Sequence, residues 1–315
     1  MRITRRRLLA GLPLAPAILA QGPAIYDLVL KNGDVLDPKN NRRGRMDIAV
    51  VGDKIVRVAP NIPAAHAKLV VAVGDYYVTP GLIDIHTHFD ALGEGVNVQP
   101  DHNALTNGVT TAVTTGSKPT RGSRTRLLVW GEGMPVMKEG TAEGLRPGDI
   151  LTGMYGLKAP ALEDLRKRGV LLDTGSFWFR VAAPAIQKGF LPDTISTDIQ
   201  KDTILLPRAN MMTTLSKFLN LGMTLEQLVE RTTVNPAKAI RRPELGHLSE
   251  GAVADIAVLE LRKGKFGFVD AGLARLAGDR KLRCVLTLRA GRVAWDAEGL
   301  SMTEWTHAGP YSNFK

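Results

Sequence analysis

Gly81-Leu-Ile-Asp-Ile-His-Thr-His-Phe89 is the stretch on which the fold turns. Its apolar residues Leu82, Ile83 and Ile85, interrupted only by Asp84, give the pattern of a strand covered on both faces in a parallel sheet. Residues two apart on a strand share a face, so Asp84, His86 and His88 point the same way. A lone histidine on such a strand is usually a satisfied core residue. Two imidazoles converging on one point are half of a divalent metal site.

Downstream, as far as Arg242, the same grammar repeats: short apolar runs, each followed by a helical pattern. Val109–Val113, Arg126–Trp130, Met134–Met137, Asp149–Gly153, Val170–Asp173 and Thr194–Asp198 join the run near Ile83 to give seven expected strands. Leu162–Arg168 reads as a helix closed by Gly169, Thr224 with Gln227 as a capping box, and Asn235-Pro236 as a further helix start. Repeated strand–helix units predict an α/β protein, a (β/α) barrel or a doubly wound sheet. A closed barrel has eight strands and typically at least about 200 residues, so the expected barrel of TIM type is truncated or incomplete.

The flanks read differently. From Tyr26 to Val78 apolar and polar residues alternate, cut by Asn32-Gly33, Gly52-Asp53 and Gly74-Asp75, which are hairpin signals between antiparallel strands. Ala254–Leu261 and Val285–Trp295 around Gly291 share that alternation. The expected organisation is a leader over 1–24, a composite β-sandwich from 25–79 plus 247–300, a barrel over 80–246 and a tail over 301–315.

The formal charge of +10 raises the question of nucleic acid, but Arg2, Arg5, Arg6 and Arg7 lie in the leader, and without them the chain carries +6. The remaining basic residues are scattered and match no nucleic-acid-binding signature, so no nucleic-acid partner is expected. No apolar run approaches the roughly 18 to 20 residues of a spanning helix, so no stable membrane insertion is expected either. The start has a positive region, an apolar stretch from Leu8 to Ala20 and small residues near Ala17, Ala20 and Ala24, as a signal peptide does. Thr4-Arg5-Arg6-Arg7-Leu8-Leu9 is similar to a twin-arginine export signal, which predicts a periplasmic or extracellular protein. Cys284, the only cysteine, sits in an alternating run and reads as a buried thiol. No Gly-x-Ser-x-Gly elbow and no phosphate-binding glycine pattern follows a strand.

Val78-Thr-Pro-Gly-Leu-Ile-Asp-Ile-His-Thr-His88, preceded by Asp47-Ile-Ala-Val-Val-Gly-Asp-Lys-Ile-Val56, resembles the opening of the amidohydrolase superfamily. Gly251–Val258 is similar to that superfamily's return to its small β domain, and Thr233–Ala237 to its last barrel helix. Leu145–Ile150, Gly189–Asp198 and Leu215–Gly222 resemble the deacetylase and dihydroorotase-like branch. The likeness covers nearly the whole mature chain except the stretch from Trp130 to Gly140. It implies that His86 and His88 are metal ligands, and that Asp198 is both a ligand and the proton acceptor for the attacking water. Two imidazoles, one carboxylate and a water complete a four-coordinate zinc site, so one divalent ion, zinc, is the expected cofactor. A small amide, cyclic or N-acylated, is the expected substrate.

The family pattern is not complete here. The unit that bears a carboxylated lysine is absent, Gly153 stands where a histidine is expected, and the turn after Asp173 is shortened to Thr174-Gly-Ser-Phe-Trp178. Lys138 and Lys158 are poor replacements, as are His66, His102, His247 and His307 in hairpin, loop or tail contexts. A two-metal centre is therefore not expected. The alternative is a catalytically silent homologue that keeps the framework as a binding or structural protein. Oligomeric state is not legible in the sequence.

Overall fold

The structure, a computed structural model, describes residues 25–90, 97–115, 123–131 and 133–309. The leader reading at 1–24 lies outside the described residues.

The chain begins with β1 (Tyr26–Asp37), β2 (Arg42–Val51), β3 (Lys54–Ala59), β4 (Ala67–Ala72) and β5 (Tyr77–Pro80). Next come β6 (Leu82–Thr87), β7 (Val109–Thr114), β8 (Arg126–Val129), β9 (Met137–Glu139), β10 (Ile150–Thr152) and β11 (Leu171–Leu172). The chain closes with β12 (Ile256–Val269), β13 (Arg275–Arg289) and β14 (Arg292–Asp296). Both chain ends meet in one eight-stranded sheet, ordered β14-β13-β12-β5-β1-β2-β3, with β4 also paired to β1. Alternation explains its two covered faces: Leu28 and Leu30 join one apolar cluster, and Val29 between them joins another.

The turn signals fare unequally. Gly52-Asp53 joins the antiparallel pair β2 and β3, as expected. Asn32-Gly33 is instead a bulge inside β1, where the register to β2 shifts and Asn32 adopts φ 62°. Gly74-Asp75 joins β4 to β5, which do not form a hairpin, since each runs parallel to β1. An Asn-Gly or Gly-Asp pair supplies a left-handed or flexible backbone, and the pairing partner decides whether that becomes a turn or a bulge. The long β12–β13 hairpin across 262–284 was not read in the sequence, because its outer part is exposed and polar.

The central strands are parallel. β6 pairs with β7 and β7 with β8, while β9 and β11 flank β10. The segment 194–199 links the two groups through parallel bridges Thr87↔Ile199 and Asp173↔Thr194. The spatial order is thus β8-β7-β6-(194–199)-β11-β10-β9. Among the described residues no ladder joins β8 to β9. β9 starts at Met137 and not at Met134, because Gly133 turns at φ 87° and Pro135 has no N–H to give a ladder. Every residue of β6 and of β7 is buried, as a doubly covered strand requires. Gly81 lets β6 enter beside β7: a Cβ there would lie 2.2 Å from Thr110 Oγ1 and 2.5 Å from its Cγ2.

Around these strands lie α1 (Pro100–Ala104), α2 (Ala159–Lys167), α3 (Phe179–Gln187), α4 (Lys201–Ile204), α5 (Met211–Asn220), α6 (Leu225–Thr232) and α7 (Val234–Ala239). Gly169 takes φ 78° just beyond α2, and Thr224 and Gln227 form the reciprocal cap of α6. α5 docks on β13, where Ser216 Oγ accepts from the Leu282 amide at 2.9 Å and Asn220 Nδ2 donates to the Arg280 carbonyl at 2.7 Å. One apolar cluster spans the parallel strands, the helices and the inner residues Leu259, Leu282 and Cys284 of the large sheet. The Cys284 thiol is buried, and burial pushes its pKa up to about 12. Among the described residues no helix is long and apolar enough to cross a membrane.

Lys217 on α5 is only 4% exposed, its Nζ lying 5.8 Å from the Phe177 ring centre and 3.4 Å from the Pro207 carbonyl. Burial lowers its pKa to about 8, and Asp270 offsets this only in part. Between pH 8 and the ordinary lysine value of 10.5, the unfolded chain holds a proton there that the folded chain has released. Stability should therefore rise with pH across that window, by up to about 1.4 kcal/mol per unit. Urea unfolding from pH 7.5 to 10.5 checks this, and the rise should vanish in Lys217→Met.

Candidate metal centre

The centre forms where β6 and the segment 194–199 run side by side. The Asp198 amide donates to the His86 carbonyl at 3.0 Å, and the His88 amide to the Ile199 carbonyl at 3.0 Å. This register carries the Asp198 side chain between two imidazoles that share one face of the neighbouring chain. Asp198 Oδ1 stands 3.5 Å from His86 Nε2 and 3.3 Å from His88 Nε2. One potential ligand atom from each of the three residues lies within 4.8 Å of the others. Residues 86, 88 and 198 are thus brought together across more than a hundred positions of sequence. Asp198 adopts φ 52°, a left-handed conformation that aspartate tolerates better than most side chains and that turns its carboxylate inward.

Each of the three is held from behind by a hydroxyl. Thr152 Oγ1 lies 3.1 Å from His86 Nδ1, Thr115 Oγ1 lies 3.2 Å from His88 Nδ1, and Ser176 Oγ donates to Asp198 Oδ2 at 2.8 Å. These contacts leave both Nε2 atoms and Oδ1 facing one another. Outer contacts of this kind fix the orientation of metal ligands. Burial pushes the Asp198 carboxyl up, but His88, His86 and Ser176 more than offset it and hold the group below the usual aspartate value.

Two more buried carboxyls lie beneath. Asp84 accepts from the Thr197 hydroxyl at 2.6 Å and the Thr197 amide at 3.1 Å, and burial pushes its pKa up to about 7. It shares the face of His86 but belongs to the layer below the three-residue group. Asp173 receives the hydroxyls of Thr194 at 2.6 Å, Thr152 at 2.8 Å and Ser196. Burial raises its pKa against the pull of those hydroxyls and of His86. The sequence reading missed Thr152, Thr115, Ser176 and Asp173 as parts of the centre. Their one legible signal is that Thr152 and Asp173 close buried strand runs, at the end where barrels build their sites.

Lys138 Nζ donates to the Glu143 carbonyl at 2.6 Å, and Lys158 is exposed. His66, His102, His247 and His307 take no part in the group. A mostly apolar cavity of about 570 Å³ lies at α2, α3 and the segments beside them, lined by Tyr155, Leu157, Leu162, Trp178, Val181 and Phe190 among others. Trp178 lies two residues beyond Ser176, which bonds Asp198, while His86, His88 and Asp198 themselves do not line the cavity.

The donor set could hold a divalent metal ion. Two atoms bound at about 2.0–2.1 Å and subtending a tetrahedral angle lie roughly 3.3 Å apart, and the two nitrogen–oxygen separations are 3.5 and 3.3 Å. Imidazole nitrogen with carboxylate oxygen is a zinc-type ligand pair.

The α/β fold thus brings paired histidines on β6, the first strand of the parallel group, beside an aspartate of the segment 194–199. The profile of the Amidohydrolase family matches residues 179–293. A deacetylase of Brucella anthropi is 32% identical over 182 residues, 53% of this chain and 45% of the relative. A dihydroorotase of Clostridium acetobutylicum is 28% identical over 158 residues, 46% of this chain and 34% of the relative. The matched stretch thus spans less than half the length of these curated relatives. Among solved structures, an adenine deaminase superposes with a TM-score of 0.75 at 20% identity, covering 86% of this chain and all of that one. A dihydroorotase superposes with a TM-score of 0.74 at 22% identity, covering 84% and 98%. These two likenesses carry the fold, and with the sequence matches they bear out the resemblance to the amidohydrolase superfamily in its deacetylase and dihydroorotase branch.

Proposed function

We propose that this chain is a metal-dependent amidohydrolase that cuts a non-peptide carbon–nitrogen bond in a small cyclic amide or N-acyl compound. The observation that carries the reading is Asp198 Oδ1 seated 3.5 and 3.3 Å from two imidazole nitrogens at one end of the parallel strands. His86, His88 and Asp198 would hold one divalent ion, zinc, whose chemistry is to acidify a water to a pKa of about 7 and polarise the amide carbonyl. Asp198, held below the usual carboxylate value, stays ionised at neutral pH and can take the proton from the attacking water and hand it to the leaving nitrogen.

The proposal extends to organisation and place. Residues 80–246 carry the hydrolase unit, an incomplete barrel, and 25–79 with 247–300 form its β domain; the sheet shared by both chain ends supports this division. The leader at 1–24 would export the protein to the periplasm or beyond.

The test is a panel of hydantoins, dihydroorotate and N-acetylated small molecules, assayed with added zinc or manganese. Turnover of one class, abolished by a chelator and restored by metal, is the expected result. A folded chain that holds no metal and turns over none of them is the silent homologue.

A further inference from the structure

The direction of the hydrogen bonds behind His86 goes beyond what places a metal there. A threonine hydroxyl has a single hydrogen to donate. That of Thr152 is directed at Asp173 Oδ2, 2.8 Å away. Towards His86 Nδ1, at 3.1 Å, the same oxygen can then only accept. Asp173 is wholly buried and receives two further hydroxyls, from Thr194 and Ser196, so its oxygens face donors on every side. Ser196 Oγ in turn accepts the Gly175 amide at 3.2 Å, which leaves its own hydrogen for the carboxylate.

We infer that Thr152 and Asp173 are positioning residues that hold a hydrogen on His86 Nδ1, so that Nε2 is the nitrogen left to meet Asp198 or an ion. The lock exists in the metal-free protein, so the centre is set before any ion arrives. A neutral imidazole divides its hydrogen between two nitrogens, and only the one without it can ligate. Fixing the tautomer in advance removes that division from the cost of binding.

The backbone is shaped to allow this. Gly175 sits at φ 52°, and a Cβ there would lie 2.8 Å from Thr152 Oγ1 and 3.6 Å from His86 Nδ1. A side chain at 175 would press on the hydroxyl that joins the ring to the carboxylate. The polarity of the chain is also decidable by experiment: were the proton held by Asp173, Thr152 would donate to Nδ1 and the hydrogen of His86 would sit on Nε2, facing Asp198.

This inference rests on the metal reading for its purpose but not for its first measurement. Long-range proton–nitrogen NMR on the metal-free full chain reads the His86 tautomer directly, with the ring assigned by its loss in His86→Gln. A hydrogen on Nδ1 is expected, with or without a second on Nε2; a hydrogen on Nε2 alone overturns the inference, whether or not the protein ever binds metal. Zinc affinity is then measured by chelator competition in wild type, Thr152→Val and Thr152→Ser, with thermal melts alongside. Loss of an outer partner typically weakens metal binding about 10- to 100-fold, so Thr152→Val should bind zinc that much more weakly and show a mixed His86 tautomer, while Thr152→Ser restores both. Wild-type affinity and an unmixed tautomer in Thr152→Val would overturn it. Should Thr152→Val fail to fold, the wild-type tautomer decides. A wild type with His86 protonated on Nδ1 that binds no zinc leaves this inference standing and sinks the metal reading instead.

Discussion

His86→Ala should strip the protein of its ion: a chain purified with one equivalent of zinc should retain essentially none, by elemental analysis after gel filtration. The expected drop in affinity exceeds the roughly 10- to 100-fold that an outer contact is worth, because a ligand itself is removed. His86 is the ligand to choose because its side chain is the more buried of the two imidazoles, 4% exposed against 21% for His88. Its side chain also contacts Thr152, so alanine leaves the Asp173 network one member short. Circular dichroism and a melting curve should show a folded protein, since the strand hydrogen bonds of β6 are made by its backbone. Retained zinc in folded His86→Ala would remove the proposed centre, and with it the proposed activity.

Asp198→Asn carries the second large effect. Asparagine tolerates the left-handed backbone at φ 52°, and its amide can still meet Ser176. What disappears is the negative charge that takes the proton. A positioned acid–base group is worth about 10²- to 10⁴-fold in rate, and kcat should fall by that factor when zinc is supplied in excess to offset any weaker binding. An unchanged kcat at saturating zinc would show that the proton goes elsewhere. Comparing the two variants separates roles: His86→Ala acts through metal content, whereas Asp198→Asn acts on turnover with metal present.

Much of the parallel core was legible because its signals are local. β6, β7, β8 and β10 follow from short apolar runs, and α2 and α6 from Gly169 and the Thr224–Gln227 cap. Thr194–Asp198 was expected as a strand, and the segment 194–199 joins the sheet only through isolated bridges, with Asp198 turned to φ 52°. The outer reach of the β12–β13 hairpin escaped notice, since exposed strands with charged residues carry no period-two apolar pattern. Asn32-Gly33 misled for the opposite reason: a strong turn signal was absorbed as a bulge once β2 paired across it.

The amino-acid sequence alone determined that His86 and His88 share one face of a buried strand, because the two-residue repeat of an extended chain is a property of the backbone. It did not determine what stands opposite them. Thr115, Thr152, Asp173, Ser176 and Asp198 are separated along the chain and carry no mutual spacing that a reader could recognise. Only the parallel registers of β7 and of the segment 194–199 against β6, of the Asp173 end of β11 against that segment, and of β10 against β11 bring their side chains to the two imidazoles. Strand periodicity is local and is written in the sequence, whereas register between distant strands is fixed by the packing of the whole core.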